Sequence, residues 1–250
     1  MAESSELSKT QIDKLGERLR RSDLTESDLE LLDGYRRSFT EAYEHVVELI
    51  RGRVGLQPSG REAKSTASII DKLKRESIRF SQMQDIAGCR IVVPALLTQD
   101  EVVEWLKRVF ERTAIVDRRK QPSHGYRAGH VVVEYSGKPI EVQVRTSLQH
   151  RWAQLSEKLS DLVDNSIKYG GGDGDIATIL SVMSAKIRTH ELAEARHSEI
   201  MASDEEGDEL YNEGMKLPNL MSERLSIVQM LDAIGEVLPR MKGPKDDLSY

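Results

Sequence analysis

Glu141, Gln143 and Arg145 alternate along a stretch that reads as a β-strand, and His130 stands on the strand before it. A strand carboxylate in such company can hold a divalent cation or take the proton of an attacking hydroxyl. The neighbouring His, Gln and Arg side chains can grip phosphate oxygens. The arms Val131–Tyr135 and Ile140–Arg145 flank Ser136-Gly137-Lys138-Pro139, a composition that favours chain reversal. Closing the hairpin symmetrically about Gly137-Lys138 sets Glu134 opposite Glu141, Val132 opposite Gln143 and His130 opposite Arg145. The other face, Val131, Val133, Tyr135, Ile140, Val142 and Val144, is apolar and belongs to a core. Two facing carboxylates repel unless something positive lies between them, and a divalent metal or a bound phosphate complex would supply it.

Three more groups could carry chemistry. Lys64, Ser68 and Lys72 share one face of a helix that starts at Ser65 or Thr66. Two ammonium groups, a hydroxyl and a helix N-terminus suit phosphates, although a solvated face is the plainer reading. No GxxxxGK[ST] motif occurs, so this is not a P-loop. Asp85, in Asp85-Ile86-Ala87-Gly88-Cys89-Arg90, precedes a buried strand. There it is either a metal ligand at the sheet rim or a turn cap paired with Arg90. Tyr126, in a Gly-flanked basic loop, either stacks on a base or packs into a core. Arg118, Arg119 and Lys120 form a basic cluster beside it. HExxH and the His-Asp pair of metal hydrolases are absent.

The elements that must position these groups follow from composition and spacing. A chain of 250 residues accommodates one catalytic domain with helical additions, or two small domains. No apolar run approaches the roughly 20 residues of a membrane span, and Met1 to Leu15 lacks a signal-peptide core. The single cysteine, Cys89, excludes an internal disulfide and a cysteine-based zinc site and fits a reducing cytoplasm. The net charge of −6 argues against a generic nucleic-acid binder. Residues 61 to 79 nonetheless carry six basic side chains against three acidic ones. Asp204-Glu205-Glu206 and Asp208-Glu209 make the C-terminal part acidic, so a polyanionic ligand belongs to the middle of the chain.

Ile12, Leu15 and Leu19 mark a short helix. One longer helix is expected from about Thr25 to Val54, with Thr25-x-x-Asp28 as its cap. A break over Gly55–Gly60 and a helix to about Ser77 follow. Then come a strand at Arg90–Val93, a helix at Gln99–Arg112 that buries Val102, Val103, Leu106 and Val109, and a strand at Thr113–Val116. After the hairpin, a helix covers Ser147 to about Val163 with Leu148, Trp152, Leu155 and Leu159 inward. Gly170–Asp175 reads as a linker, and two or three helices finish the chain, Leu220–Leu238 the clearest. The expected class is α/β (α+β): a mixed, mainly antiparallel sheet of about five strands flanked by helices. Residues 57–165 form the core, with helical extensions at 1–56 and 166–250.

These pieces, in this order, resemble the synthetase domain of the RelA/SpoT alarmone family. K-S-x-x-S-I-x-x-K is met by Lys64 to Lys72, D-I-x-G-x-R-I by Asp85 to Ile91, G-Y-R-x-x-H by Gly125 to His130, and E-[IV]-Q-[IV]-R-T by Glu141 to Thr146. Gln149-His150-x-Trp152-Ala153 follows, so the resemblance covers about Gly60 to Leu162. It implies a nucleotidyltransferase-like fold and transfer of the β,γ-pyrophosphate of ATP to a 3′-hydroxyl, with release of AMP. By the same resemblance Arg61 and Arg90 sandwich adenine, and Lys64, Ser68 and Lys72 hold the triphosphate. Asp85 and Glu141 bind Mg²⁺, and Glu141 also activates the acceptor hydroxyl. Tyr126 stacks on the acceptor base, with His130, Lys120 and Arg127 as further acceptor contacts and Gln143 and Arg145 in support.

The chain departs from the family pattern in three places. Arg61 and Lys64 stand one residue further apart than the usual R-x-K, the usual N-G-Y-R-S-L-H reads His124 to His130, and the loop 117–123 is short. Two of these changes lie at the acceptor loop. The acceptor therefore stays open between GDP or GTP, an adenosine nucleotide and the 3′ end of tRNA. The chain resembles the stand-alone small synthetases of the stringent response and their toxin relatives. An antitoxin partner or a homo-oligomer is compatible with the helices outside the core. A reading of another class, a nucleotide sensor without catalysis, is opposed by the presence of both Asp85 and Glu141.

Overall fold

The computed structural model describes residues 7–202 and 216–242. The acidic run at 204–209 lies outside them. The elements, in order, are α1 (Lys9–Arg21), α2 (Glu26–Arg37), α3 (Thr40–Val54), β1 (Ser59–Arg61), α4 (Thr66–Arg75), β2 (Ala87–Val93), α5 (Leu96–Val109), β3 (Thr113–Asp117), β4 (Gly129–Tyr135), β5 (Lys138–Thr146), α6 (Ser147–Leu162), α7 (Gly174–Ala202) and α8 (Leu217–Lys242). One sheet has the order β1-β2-β5-β4-β3. β1 and β2 run antiparallel, and the tight turn between β4 and β5 makes them antiparallel as well. The class is thus α+β with five strands, as expected. No helix among the described residues is long and apolar enough to cross a membrane.

The chain forms two compact units. Residues 1–91, 105–115 and 130–143 belong to the first, and 92–104, 116–129 and 144–250 to the second. In the first unit α1 packs on α2 and α4. Ser8 caps α1 and Thr25 caps α2, each in a reciprocal box. The single helix expected from Thr25 to Val54 is two. Ser38 Oγ donates to the Tyr35 carbonyl at 2.7 Å, taking an acceptor that the helical ladder would use. The buried Phe39 then meets Tyr35 edge-on at 5.3 Å, and Tyr35 meets Phe80 at 5.1 Å. An unbroken apolar spacing runs through this break, which is why periodicity alone did not show it.

Three further expectations shift. α5 begins and ends three residues earlier than expected, so Val109 is 39% exposed and Phe110 takes the buried place. The hairpin turn has two residues, Ser136 and Gly137, at φ 49° and 73°, not four. The expected opposition of Glu134 and Glu141 therefore does not stand: a turn two residues shorter moves the pairing of the arms by two positions. Glu134 instead pairs with Arg112 at 2.9 Å. The apolar face is as expected at Val131, Val133, Ile140, Val142 and Val144, which are fully buried, whereas Tyr135 is only partly buried and stacks on His45 at 3.8 Å.

In the second unit α6, α7 and α8 pack mutually around Leu148, Trp152, Leu159, Ile176, Leu180, Ile187 and Ile227. Thr146 caps α6 in a reciprocal box with Gln149. The buried His190 of α7 lies between Glu194 at 3.1 Å and Glu223 of α8 at 3.3 Å. Burial opposes a charge on that imidazole, but the two carboxylates outweigh it and hold its pKa above the ordinary value.

Candidate active site

The first unit gathers a carboxylate-lysine cluster. Ser65 caps α4, and the chain entering it is pinned by the Lys64 N–H donating to the Ile86 carbonyl at 2.6 Å. This brings Lys64 and Lys72 to one carboxylate. Lys64 Nζ lies 2.6 Å from one oxygen of Asp85, and Lys72 Nζ lies 2.9 Å from the other. Burial pushes the Asp85 carboxyl up, yet the two ammonium charges prevail and hold it below the ordinary carboxylate range. Ser68 stays on the same helix, its Oγ accepting from Ser65 Oγ at 2.8 Å.

Glu141 is held from two sides. His130 Nδ1 donates to one carboxylate oxygen at 2.8 Å and Gln143 Nε2 to the other at 2.9 Å. Burial raises the pKa of Glu141, the hydrogen bond and charge of His130 and the Gln143 amide lower it more, and the charge of Asp85 opposes them. The net is a depressed pKa, so Glu141 stays ionised at neutral pH. Asp85 leads into β2, which lies against β5 at Glu141, so the two carboxylates stand on adjacent segments of this unit. The Cys89 thiol, buried and beside Glu141, is pushed up to about 12, which leaves it an inert core residue.

β2 reaches this position only because residue 88 has no side chain. A Cβ there would lie 2.6 Å from the Glu141 carbonyl oxygen and 3.3 Å from its Cβ. Gly88→Ala should therefore push β2 and β5 apart, lower stability by about 1–3 kcal/mol and misplace Glu141. Thermal melting and transfer kinetics of that variant check this; an unchanged melting temperature with full activity would refute the close approach. The antiparallel register pairs Arg61 with Gly88 and Ser59 with Arg90, which puts positions 61 and 90 on one face of the β1–β2 pair.

Among the described residues no three His, Cys, Asp or Glu side chains gather to hold a metal alone. Mg²⁺ does not require that, since it is commonly bound by one or two carboxylates with water and substrate phosphates. Two neighbouring ionised carboxylates, Asp85 and Glu141, supply hard oxygen donors of that kind, so the residues present fit the ion.

The second unit carries a separate aromatic-cationic pair. Tyr126 follows a tight reversal in which Ser123 and Tyr126 exchange backbone hydrogen bonds at 2.9 and 3.3 Å. His124 and Gly125 occupy its centre at φ 51° and 86°, the primed turn that an Asn-Gly pair usually supplies. Histidine, like asparagine, is enriched in left-handed backbone, so His124 can stand where the family pattern has Asn. Arg145 donates to the Tyr126 hydroxyl at 2.9 Å, its guanidinium carbon 4.9 Å from the ring centre. Arg127 is 7% exposed and faces the charge of Glu191. Arg119 turns inward to Asp117 and Asp100, while Arg118 and Lys120 are exposed. Asp85, Glu141, Lys64, Lys72, His130 and Gln143 thus belong to one unit, and Tyr126, Arg127, Arg145 and Lys120 to the other. Gln99, Gln149 and Glu191, buried polar groups of the second unit, were not singled out from the sequence; a carboxylate on an apolar helix stripe is the signal that marks Glu191.

Comparison with known proteins agrees with this geometry. Residues 60–160 match the family model described as the region found in RelA / SpoT proteins. An uncharacterized protein of Mycobacterium tuberculosis is 37% identical over 111 residues, 43% of this chain and 41% of that protein. The GTP pyrophosphokinase YwaC of Bacillus subtilis is 29% identical over 140 residues, 48% of this chain and 65% of that protein. The chain therefore spans less than two thirds of these curated relatives. Among solved structures, the small alarmone synthetase 1 of Bacillus subtilis bound to its product pppGpp has the same fold, with a TM-score of 0.53 at 22% identity over 72% of this chain and all of that one. A GTP pyrophosphokinase family protein from Streptococcus pneumoniae aligns with a TM-score of 0.51 at 26% identity, over 71% of this chain and 94% of that chain.

Proposed function

From a chain that carries a RelA/SpoT region at residues 60–160, we propose a pyrophosphokinase that moves the β,γ-pyrophosphate of ATP to the 3′-hydroxyl of GDP or GTP, making (p)ppGpp and AMP. The observation that carries this reading is the convergence of Lys64 and Lys72 on the two oxygens of Asp85, beside the ionised Glu141. Two ammonium heads that meet on a carboxylate can meet equally on triphosphate oxygens.

Pyrophosphoryl transfer needs in-line placement and neutralisation of charge on phosphate oxygens. The 3′-oxygen attacks the β-phosphorus, the bond from that phosphorus to the α–β bridging oxygen breaks, and AMP leaves. Lys64 and Lys72 hold the triphosphate, with Ser68 on the same helix. Arg61 and Arg90, on one face of β1–β2, hold adenine. Glu141 accepts the proton of the acceptor hydroxyl, while His130 and Gln143 keep its carboxylate oriented. Asp85 and Glu141 would hold Mg²⁺, which when bound offsets the charge of the phosphate oxygens. Tyr126 stacks on the acceptor base, its ring fixed by Arg145.

The test is incubation with γ-labelled ATP and separate pools of GDP, GTP, ATP and tRNA. Label is expected on GDP or GTP. Label on tRNA or on an adenosine nucleotide alone would replace the acceptor, and no labelled product with any pool would remove the enzyme reading in favour of a nucleotide sensor.

A further inference from the structure

α7 carries three buried polar side chains, Ser184, His190 and Glu191, where its apolar stripe should continue. Leu180, Ser184, Ile187 and Glu191 recur at helical spacing on one face, and all four are buried. Ser184 Oγ donates to the Gly125 carbonyl at 2.6 Å. Glu191, 2% exposed, accepts from Thr146 Oγ1 and from Gln149 Nε2 at 3.1 Å.

The contacts bracket one residue. Ser184 holds Gly125, the residue before Tyr126, and Glu191 holds Thr146, which adjoins the Arg145 that donates to the tyrosine hydroxyl. Trp152 closes the third side: its indole donates to the Leu180 carbonyl at 2.8 Å, and a Cβ on Gly125 would lie 2.8 Å from its ring. Gln149 extends the network to Gln99, which donates to the Val144 carbonyl at 2.7 Å. Arg119, at the start of the loop, reaches Asp100 on the same helix as Gln99. Neither Ser184 nor Glu191 is needed to pack α7, because an apolar residue at either position would bury more surface without desolvating a polar group. Their hydrogen bonds are directed at the Tyr126 loop and at the junction of β5 and α6.

We infer that Ser184 and Glu191 are positioning residues for the acceptor: α7 braces the Tyr126 loop from both sides and so sets how the acceptor base is received. The inference rests on the pyrophosphate-transfer reading of the site. It gives the first helix of the C-terminal extension a direct part in acceptor use, separate from completing a core.

The experiment compares Ser184→Ala, Glu191→Gln and Glu191→Leu with the parent, reading amide exchange and steady-state constants for both nucleotides. Exchange over residues 123–128 is expected to quicken about tenfold in Ser184→Ala and Glu191→Leu, the worth of one buried hydrogen bond, with residues 138–143 unchanged. The acceptor KM should rise by a similar factor while the ATP KM stays within about twofold, and Glu191→Gln, which keeps an oxygen acceptor, should lie between. Ser184→Ala loses one hydrogen bond and decides the matter if Glu191→Leu does not fold. Unchanged exchange in the loop of a folded variant overturns the brace. A KM rise shared equally by ATP and acceptor, or no rise in either, overturns the positioning role. A parent that transfers to no acceptor would sink the proposed function and the acceptor role with it, while the exchange result would still decide the brace.

Discussion

Glu141→Gln is expected to cut transfer by about 10²–10⁴-fold, the range of a lost general base, while the protein still binds a non-hydrolysable ATP analogue within a few-fold of the parent. The substitution keeps the size of the side chain and one oxygen. It removes the charge that His130 and Gln143 stabilise and that sits beside Asp85. Lys64 and Lys72, the proposed triphosphate contacts, pair with Asp85 and not with Glu141, so donor binding should survive. Because the depressed pKa keeps the carboxylate ionised well below neutrality, its contribution is present above the ordinary carboxylate range and fades only as pH falls through the lower folded value. The acid-side fall in the parent's rate should therefore lie below the ordinary carboxylate range. Single-turnover kinetics and calorimetry check both halves. A variant that keeps transfer would remove the proton-accepting and metal-holding roles together.

Tyr126→Ala should raise the acceptor KM by about tenfold to hundredfold with little change for ATP, since one base–aromatic stack is worth roughly 1–3 kcal/mol. Tyr126→Phe separates stacking from hydrogen bonding. It keeps the ring and loses only the hydroxyl to which Arg145 donates at 2.9 Å, so its effect should be a few-fold at most. Equal losses in the two variants would assign the tyrosine's role to the hydroxyl. A change confined to ATP would move Tyr126 out of the acceptor side.

The carboxylates and lysines of the cluster were legible as positions because each sits at a spacing that a regular element enforces. Lys64 and Lys72 flank and ride one capped helix, Asp85 opens a buried strand, and Glu141 alternates with Gln143 on β5. The hairpin's apolar face was equally plain, since period two leaves no other arrangement. What periodicity missed came from local hydrogen bonds. Ser38 breaks a helix by bonding the Tyr35 carbonyl, and a two-residue primed turn replaces the four-residue one. The puzzle of Glu134 facing Glu141 resolves for the same reason, with Glu134 going to Arg112 and Glu141 to His130. Arg119 could not be separated by sequence from its exposed neighbours Arg118 and Lys120, because only the fold brings Asp100 within reach. The bonds among Gln99, Gln149 and Glu191 join positions 42 and 50 apart, so the sequence marks only Glu191, by its place on an apolar helix stripe.

In the proposed reaction this site moves a pyrophosphoryl group and not a single phosphoryl group. Phosphorus-31 NMR of a reaction of ATP with the preferred acceptor follows every product at once. AMP and a 3′-diphosphate of the acceptor should appear in equal amounts, and both should be absent with Glu141→Gln. ADP paired with a 3′-monophosphate, or free phosphate without a modified acceptor, would contradict the account.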